Sequence, residues 1–115
     1  MARIQTIEGR KVGSQDELRV ANALYKYKLR FKYQVPIDGG RGRRGGQVLD
    51  FLVYNPFPVP CPVNGEYWHK GQLDAEERLL LARLAQIFGR EPVVFWTADT
   101  KTQEAADSLV RRKLL

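Results

Sequence analysis

The chain carries a single cysteine and no apolar run long enough to cross a bilayer, and both absences narrow what it can be. One thiol, Cys61, permits neither a disulfide framework nor a thiolate zinc cluster. A reducing, cytoplasmic setting is the natural expectation, or the host cytoplasm if the protein is viral. Cys61 stands between Pro60 and Pro62, a place for packing rather than for a nucleophile, which needs a poised base and an electropositive pocket. The N-terminal residues lack a signal-peptide h-region, so no membrane partner is expected.

What is present suits one globular domain over residues 1–115, with 43% hydrophobic residues and enough length for a single modest core. Lysine and arginine number 19 against 13 acidic residues, a net charge of +6. That balance suits a polyanion, most often nucleic acid, and equally a merely soluble basic protein. The distribution of charge is more telling than the total. Gly39-Gly40-Arg41-Gly42-Arg43-Arg44-Gly45-Gly46 leads directly into Gln47-Val48-Leu49-Asp50-Phe51-Leu52-Val53-Tyr54, an apolar stretch with one carboxylate at its middle. Three arginines on a glycine backbone can hold phosphate in bidentate fashion, with backbone N–H groups as an anion nest. A carboxylate beside them can hold a hard cation.

The pattern of residues predicts the elements. Residues 1–13 read as an arm or short strand. Ser14 and Glu17 fit a capping box, and Leu18, Ala21, Leu24 and Tyr25 follow at helical spacing, so a helix runs from about Gln15 to Tyr27. Phe31, Tyr33 and Val35 alternate with Arg30, Lys32 and Gln34, which predicts a strand with one apolar and one polar face. Gln47 to Tyr54 is apolar on both sides apart from Asp50, the mark of a central, covered strand. Four prolines between Asn55 and Pro62 predict an extended connection or edge segment, and residues 63–69 a short strand or turn. Asp74 and Glu77 fit a second capping box before the leucine-rich stretch that Gly89 and Pro92 end. Pro92 to Trp96 reads as a buried strand and Thr102 to Leu115 as a closing helix. The order α-β-β-β-α-β-α predicts an α/β fold, a mixed central sheet with flanking helices.

Several side chains could carry chemistry. A charge on a doubly covered strand is costly unless paired or metal-bound, so Asp50 is either a cation ligand or the partner of an arginine such as Arg43 or Arg44. The arginine-glycine run is a phosphate grip, a mobile surface loop, or an RNA-binding segment that does not cut. Glu17 is explained by its capping box, yet it shares a stripe with Ala21 and Leu24, from which a carboxylate could reach a metal through water. Glu66 and His69 flank Tyr67-Trp68. His69, the only histidine, sits where a general base can reach water. Trp68 is a core residue or a wedge at a base step, and Lys70 is a solvated charge or a phosphate contact.

At these residues the chain resembles a small nuclease of the PD-(D/E)XK, or restriction-endonuclease-like, superfamily, over roughly residues 14–100. Glu17 on the first helix, the basic glycine run, the strand Leu49-Asp50-Phe51, and the helix followed by Val94-Phe95-Trp96 match its core order. The segment Gly65-Glu66-Tyr67-Trp68-His69 resembles the second motif of the very-short-patch-repair endonuclease branch. Small size and the basic loop also resemble archaeal and phage Holliday-junction resolvases. The resemblance implies a metal-dependent DNA endonuclease that uses Mg²⁺, for which Mn²⁺ can substitute. Its partners would be duplex or branched DNA and a second copy in a homodimer. In the plain superfamily register Glu66 is the second metal carboxylate. Trp68 then replaces the usual lysine, leaving His69 or Lys70 to orient water. In the very-short-patch register the Val63 carbonyl is the second ligand, Asn64 stands where that branch has histidine, and Asp74 or Glu77 supports His69. The zinc-binding cysteines of that branch have no counterpart here. Set against the nuclease stand a non-catalytic basic nucleic-acid-binding module and a partner protein in which Asp50 is salt-bridged.

Overall fold

Ser14 starts the first helix, α1 (Gln15–Lys26), by a reciprocal cap: its hydroxyl accepts the Glu17 N–H at 3.2 Å and donates to Glu17 Oε2 at 2.9 Å. The computed structural model describes residues 6–7, 10–40, 47–64 and 75–115. Asp16 and Glu17 in the first turn and Lys26 in the last suit the helix dipole. Lys28, in the left-handed region at φ 58°, turns the chain out of the helix toward the sheet. Val20, Ala21, Ala23 and Leu24 form the buried face of α1.

Two residues at the N-terminal end, β1 (Thr6–Ile7), pair antiparallel with β2 (Arg10–Lys11). The main sheet follows: β3 (Arg30–Ile37), β4 (Gln47–Tyr54) and β5 (Pro58–Cys61), antiparallel in that spatial order. A short β6 (Val63–Asn64) pairs in parallel with β7 (Phe95–Trp96). Backbone bonds from Val93 N–H to Pro60 O (2.9 Å) and from Phe95 N–H to Pro62 O (2.8 Å) extend that parallel contact alongside β5. The proline-rich stretch is thus a paired strand, because proline loses its donor but keeps its acceptor carbonyl. The expected strand over Pro92 to Trp96 is confined to Phe95–Trp96.

The remaining helices are α2 (Ala75–Phe88), ended by Gly89 at φ 67°, and α3 (Gln103–Leu114), capped by Thr102. Among the described residues the result is a mixed α/β arrangement of three α-helices and a small sheet. One core joins α1 and α3 to Phe31, Tyr33, Phe51, Val53, Val59 and Cys61. The other joins Leu80, Leu84 and Phe88 of α2 to Val35, Ile37, Leu49, Leu52 and Tyr54. Polar contacts fix α1 against the start of α3. The Thr100 hydroxyl donates to Asp16 at 2.9 Å, and Gln103 donates to the Arg19 carbonyl at 2.9 Å. Burial pushes the Cys61 thiol pKa up, as a packing residue requires.

The two cores expose a departure from simple alternation. β3 and β4 keep one register from Arg30 opposite Tyr54 to Ile37 opposite Gln47. Strict alternation would place Phe31, Tyr33, Val35 and Ile37 on one face, yet the first two belong to the α1/α3 core and the last two to the α2 core. On β4, Phe51 and Leu49 separate in the same way. The reversal falls at Gln34, whose φ of 55° is left-handed in mid-strand. Pairing is recorded for Tyr33 with Phe51 and for Val35 with Leu49, and lapses between them, at Gln34 and Asp50. The strand does not have one apolar and one polar face; it turns over at Gln34.

Candidate functional site

The sheet parts at Asp50. Pairing between β4 and β5 ends with Phe51 opposite Cys61. One step further, Asp50 meets Pro62, which has no N–H to offer. The next donor, the Val63 N–H, goes to the Asp50 side chain instead of to β4 backbone, at 2.8 Å from Oδ2. A carboxylate that accepts a backbone N–H is stabilised in its charged form, and Asp50 is half-buried. On the other edge of β6, Phe95 N–H takes the Pro62 carbonyl. A strand residue sends its N–H and C=O to the same edge, so the Val63 carbonyl leaves β6 on the Asp50 side. Two hard oxygen donors therefore share the opening between β4 and β6. That is the donor chemistry Mg²⁺ takes, since it keeps several waters and needs only one or two carboxylates. Among the described residues no three His, Cys, Asp or Glu side chains gather into a metal-binding group.

A second carboxylate approaches through Tyr33. Its hydroxyl donates to Glu17 Oε1 at 2.6 Å and accepts the Gly13 N–H at 3.1 Å. Glu17 is thereby both the helix cap and a group bonded to the sheet through Tyr33. Gly13 is needed for this contact, because a Cβ there would lie 2.8 Å from Glu17 Oε2. Burial, and then the hydrogen bond to Glu17, push the Tyr33 hydroxyl from 10.0 to about 12; the Gly13 N–H opposes the shift, and the charges of Glu17 and Asp50 add to it. Tyr33 thus feels both carboxylates. A raised folded-state pKa gives stability that is complete below pH 10 and is lost as pH climbs through about 12. Wild type should therefore lose on the order of 2 kcal/mol more than Tyr33→Phe across that window. Ultraviolet titration with alkaline unfolding measures this, and a Tyr33 that ionises with the other tyrosines contradicts it.

The arginine-glycine run begins at the end of the same hairpin. The last pair of β3 and β4, Ile37 with Gln47, lies three positions from Asp50, about 10 Å along the strand. Arg83 of α2 grips the Asp38 carboxylate with two bonds, of 2.7 and 3.0 Å, and holds its pKa below the usual carboxylate value. That clamp and the left-handed Gly39 and Gly40 set the direction in which the chain leaves β3. Arg41, Arg43 and Arg44 lie outside the described residues, as do Glu66, His69, Lys70 and Asp74. Of the sequence-derived set the structure joins Asp50 to Val63, and it bonds Glu17 to Tyr33, which feels the charges of both Glu17 and Asp50. Asn64 is half-buried on β6 opposite Trp96, and Glu77 is half-buried in the first turn of α2.

Sequence reasoning missed Tyr33 as a site residue. The available signal was a tyrosine on an apolar strand face, since a buried phenol needs a partner for its O–H. The chain matches no protein-family model, no curated protein and no solved structure. Among the described residues no helix is long and apolar enough to cross a membrane.

Proposed function

We propose that this protein is a divalent-metal-dependent DNA endonuclease that hydrolyses phosphodiester bonds, selective for branched substrates such as Holliday junctions. The observation that carries the reading is the position of Asp50. It is a half-buried carboxylate where the sheet opens, bonded to the Val63 N–H and on the strand that the arginine-glycine run leads into.

Asp50 and the Val63 carbonyl would hold Mg²⁺, with Glu66 as the additional carboxylate in the plain superfamily register. A bound Mg²⁺ supplies a water of lowered pKa and a counter-charge for the phosphorane-like transition state. Glu17 is kept in one orientation by the Tyr33 hydroxyl and the Ser14 cap, and would act on the metal through water. His69 would accept the proton of the attacking water, or Lys70 would position that water, as its oxygen bonds to phosphorus and a P–O ester bond breaks, the leaving oxygen taking a proton from solvent. Arg41, Arg43 and Arg44 hold phosphates on either side of the cut. Phosphate contacts orient a duplex without reading bases, which is why the selectivity proposed is for structure. Cutting both strands of a junction takes two such sites, and hence a homodimer.

The test is nicking of supercoiled and four-way-junction DNA with and without Mg²⁺. Cleavage that chelator abolishes and Mg²⁺ or Mn²⁺ restores is the expected result. Binding with no cleavage under either metal assigns the protein to the non-catalytic nucleic-acid-binding class. Absence of both binding and cleavage leaves Asp50 a structural residue.

A further inference from the structure

We propose that the end of the molecule at which α1 and α3 finish binds single-stranded nucleic acid, an unpaired base stacking on Tyr25 while phosphates lie against Lys28 and Arg111. This contact needs neither Asp50 nor a metal, so it stands apart from the endonuclease reading. The two helices run side by side in the same direction: Asn22 donates to Gln103 at 3.3 Å, and one turn on Lys26 pairs with Asp107 at 3.1 Å. Arg111 follows Asp107 on the same stripe of α3, one turn past the last residue of α1 and level with the chain that leaves it. The Asn55 amide donates to the Leu114 carbonyl, and Tyr54 faces Arg30. The start of β3 and the end of β4 therefore meet the last turn of α3. Along β4 this end is four positions from Asp50, about 13 Å, on the side away from Gln47.

Cations crowd this end without opposition. Lys28, Arg30, Arg111, Arg112 and Lys113 are exposed, and none is in a salt bridge with a described residue. The segments that meet here, 18–37, 51–63 and 108–115, contain no acidic residue, and the nearby Asp107 is engaged by Lys26. The helix dipole accounts for cations in the last turn of α3. It does not account for Lys28, which follows α1 at φ 58° and donates its N–H to the Tyr25 carbonyl at 3.0 Å. Glycine is the low-cost residue at such a cap. Gathered like charges repel one another, so a lysine kept at this position points to a polyanion. The shape narrows the choice. Tyr25, Lys28, Leu29, Arg30 and Phe31 line an open cleft of about 420 Å³. Tyr25 is 45% exposed, and its ring stands edge-on to Phe31 at 5.0 Å, which holds an aromatic platform beside the cations. A concave site of this size admits a planar base and not a bilayer surface, and base–aromatic stacking flanked by phosphate contacts is how single strands are held.

The test is fluorescence anisotropy with a labelled oligothymidylate in EDTA over a salt series. Tyr25→Ala should bind about tenfold more weakly with its salt slope unchanged, and Tyr25→Phe should bind like wild type. Lys28→Gly combined with Arg111→Gln keeps the left-handed turn and alters exposed residues alone. It should reduce the slope of log affinity against log salt by about 1.4, the loss of two phosphate contacts on a single strand, and it decides the matter if Tyr25→Ala is unfolded. A folded Tyr25→Ala within about twofold of wild type, or an unchanged slope in the charge variant, overturns the proposal. So does a wild type that binds no oligothymidylate. Phosphatidylserine vesicles that bind wild type and not the charge variant, with oligothymidylate affinity unaltered, would make the patch a membrane contact and overturn it too. A wild type that cuts no DNA in Mg²⁺ overturns the endonuclease reading alone, and the affinities in EDTA still decide this site.

Discussion

Asp50→Asn is expected to slow metal-dependent cleavage by about 10³-fold while costing less folding stability than Asp50→Ala. The two halves of that expectation have separate causes. The carboxamide oxygen of asparagine can still accept the Val63 N–H that Oδ2 accepts now, so the junction of β4 and β6 is kept. What is lost is the negative charge, and with it the ability to hold a hard dication. Asp50→Ala is a poorer probe, because it strands the Val63 N–H and adds about 1–3 kcal/mol of destabilisation to the catalytic loss. Cleavage rates over a Mg²⁺ series, with urea unfolding of each variant, separate the effects. An asparagine variant as active as wild type removes Asp50 from the chemistry.

The second large effect concerns the fold that holds the site. Phe51→Ala should cost about 3–5 kcal/mol. Phe51 is fully buried on the central strand, its ring 5.6 Å from that of Phe31 and 5.2 Å from that of Tyr33. Small domains have only about 5–15 kcal/mol in total, so this variant approaches the limit of folding. The ring also lies next to Asp50 in sequence and against Tyr33, so the cavity should loosen the Tyr33–Glu17 contact as well. Urea denaturation reads the loss, and a cost below about 1 kcal/mol would mean that the aromatic stack is not the centre of the core.

Local signals explain why much of the fold was legible. Ser14 and Glu17 announce α1 because a cap needs only neighbours three positions apart. The run Gln47 to Tyr54 has the observed bounds of β4, since turn residues flank it on both sides. Gly89 marks the end of α2 because its φ of 67° suits glycine. Features set by partners distant in sequence were not legible. The prolines left an extended connection and an edge segment both open, because sequence does not show which edge of a strand needs donors, and the structure takes the edge strand, β5. The turnover at Gln34 left no trace, since Phe31, Tyr33, Val35 and Ile37 look like one uninterrupted apolar face while serving two cores. Asp50 was visible as an anomaly in an apolar strand. Its setting was not, because the opening around it comes from Pro62 lacking an N–H and from the left-handed residue across the ladder.

Diffraction from crystals grown with Mn²⁺, recorded for its anomalous signal, tests the assignment of Asp50 most directly. The account predicts a manganese peak bonded to an Asp50 carboxylate oxygen and to the Val63 carbonyl, absent from crystals of Asp50→Asn. A guanidinium from Arg43 or Arg44 seated on that carboxylate, with no manganese beside it, would contradict the account.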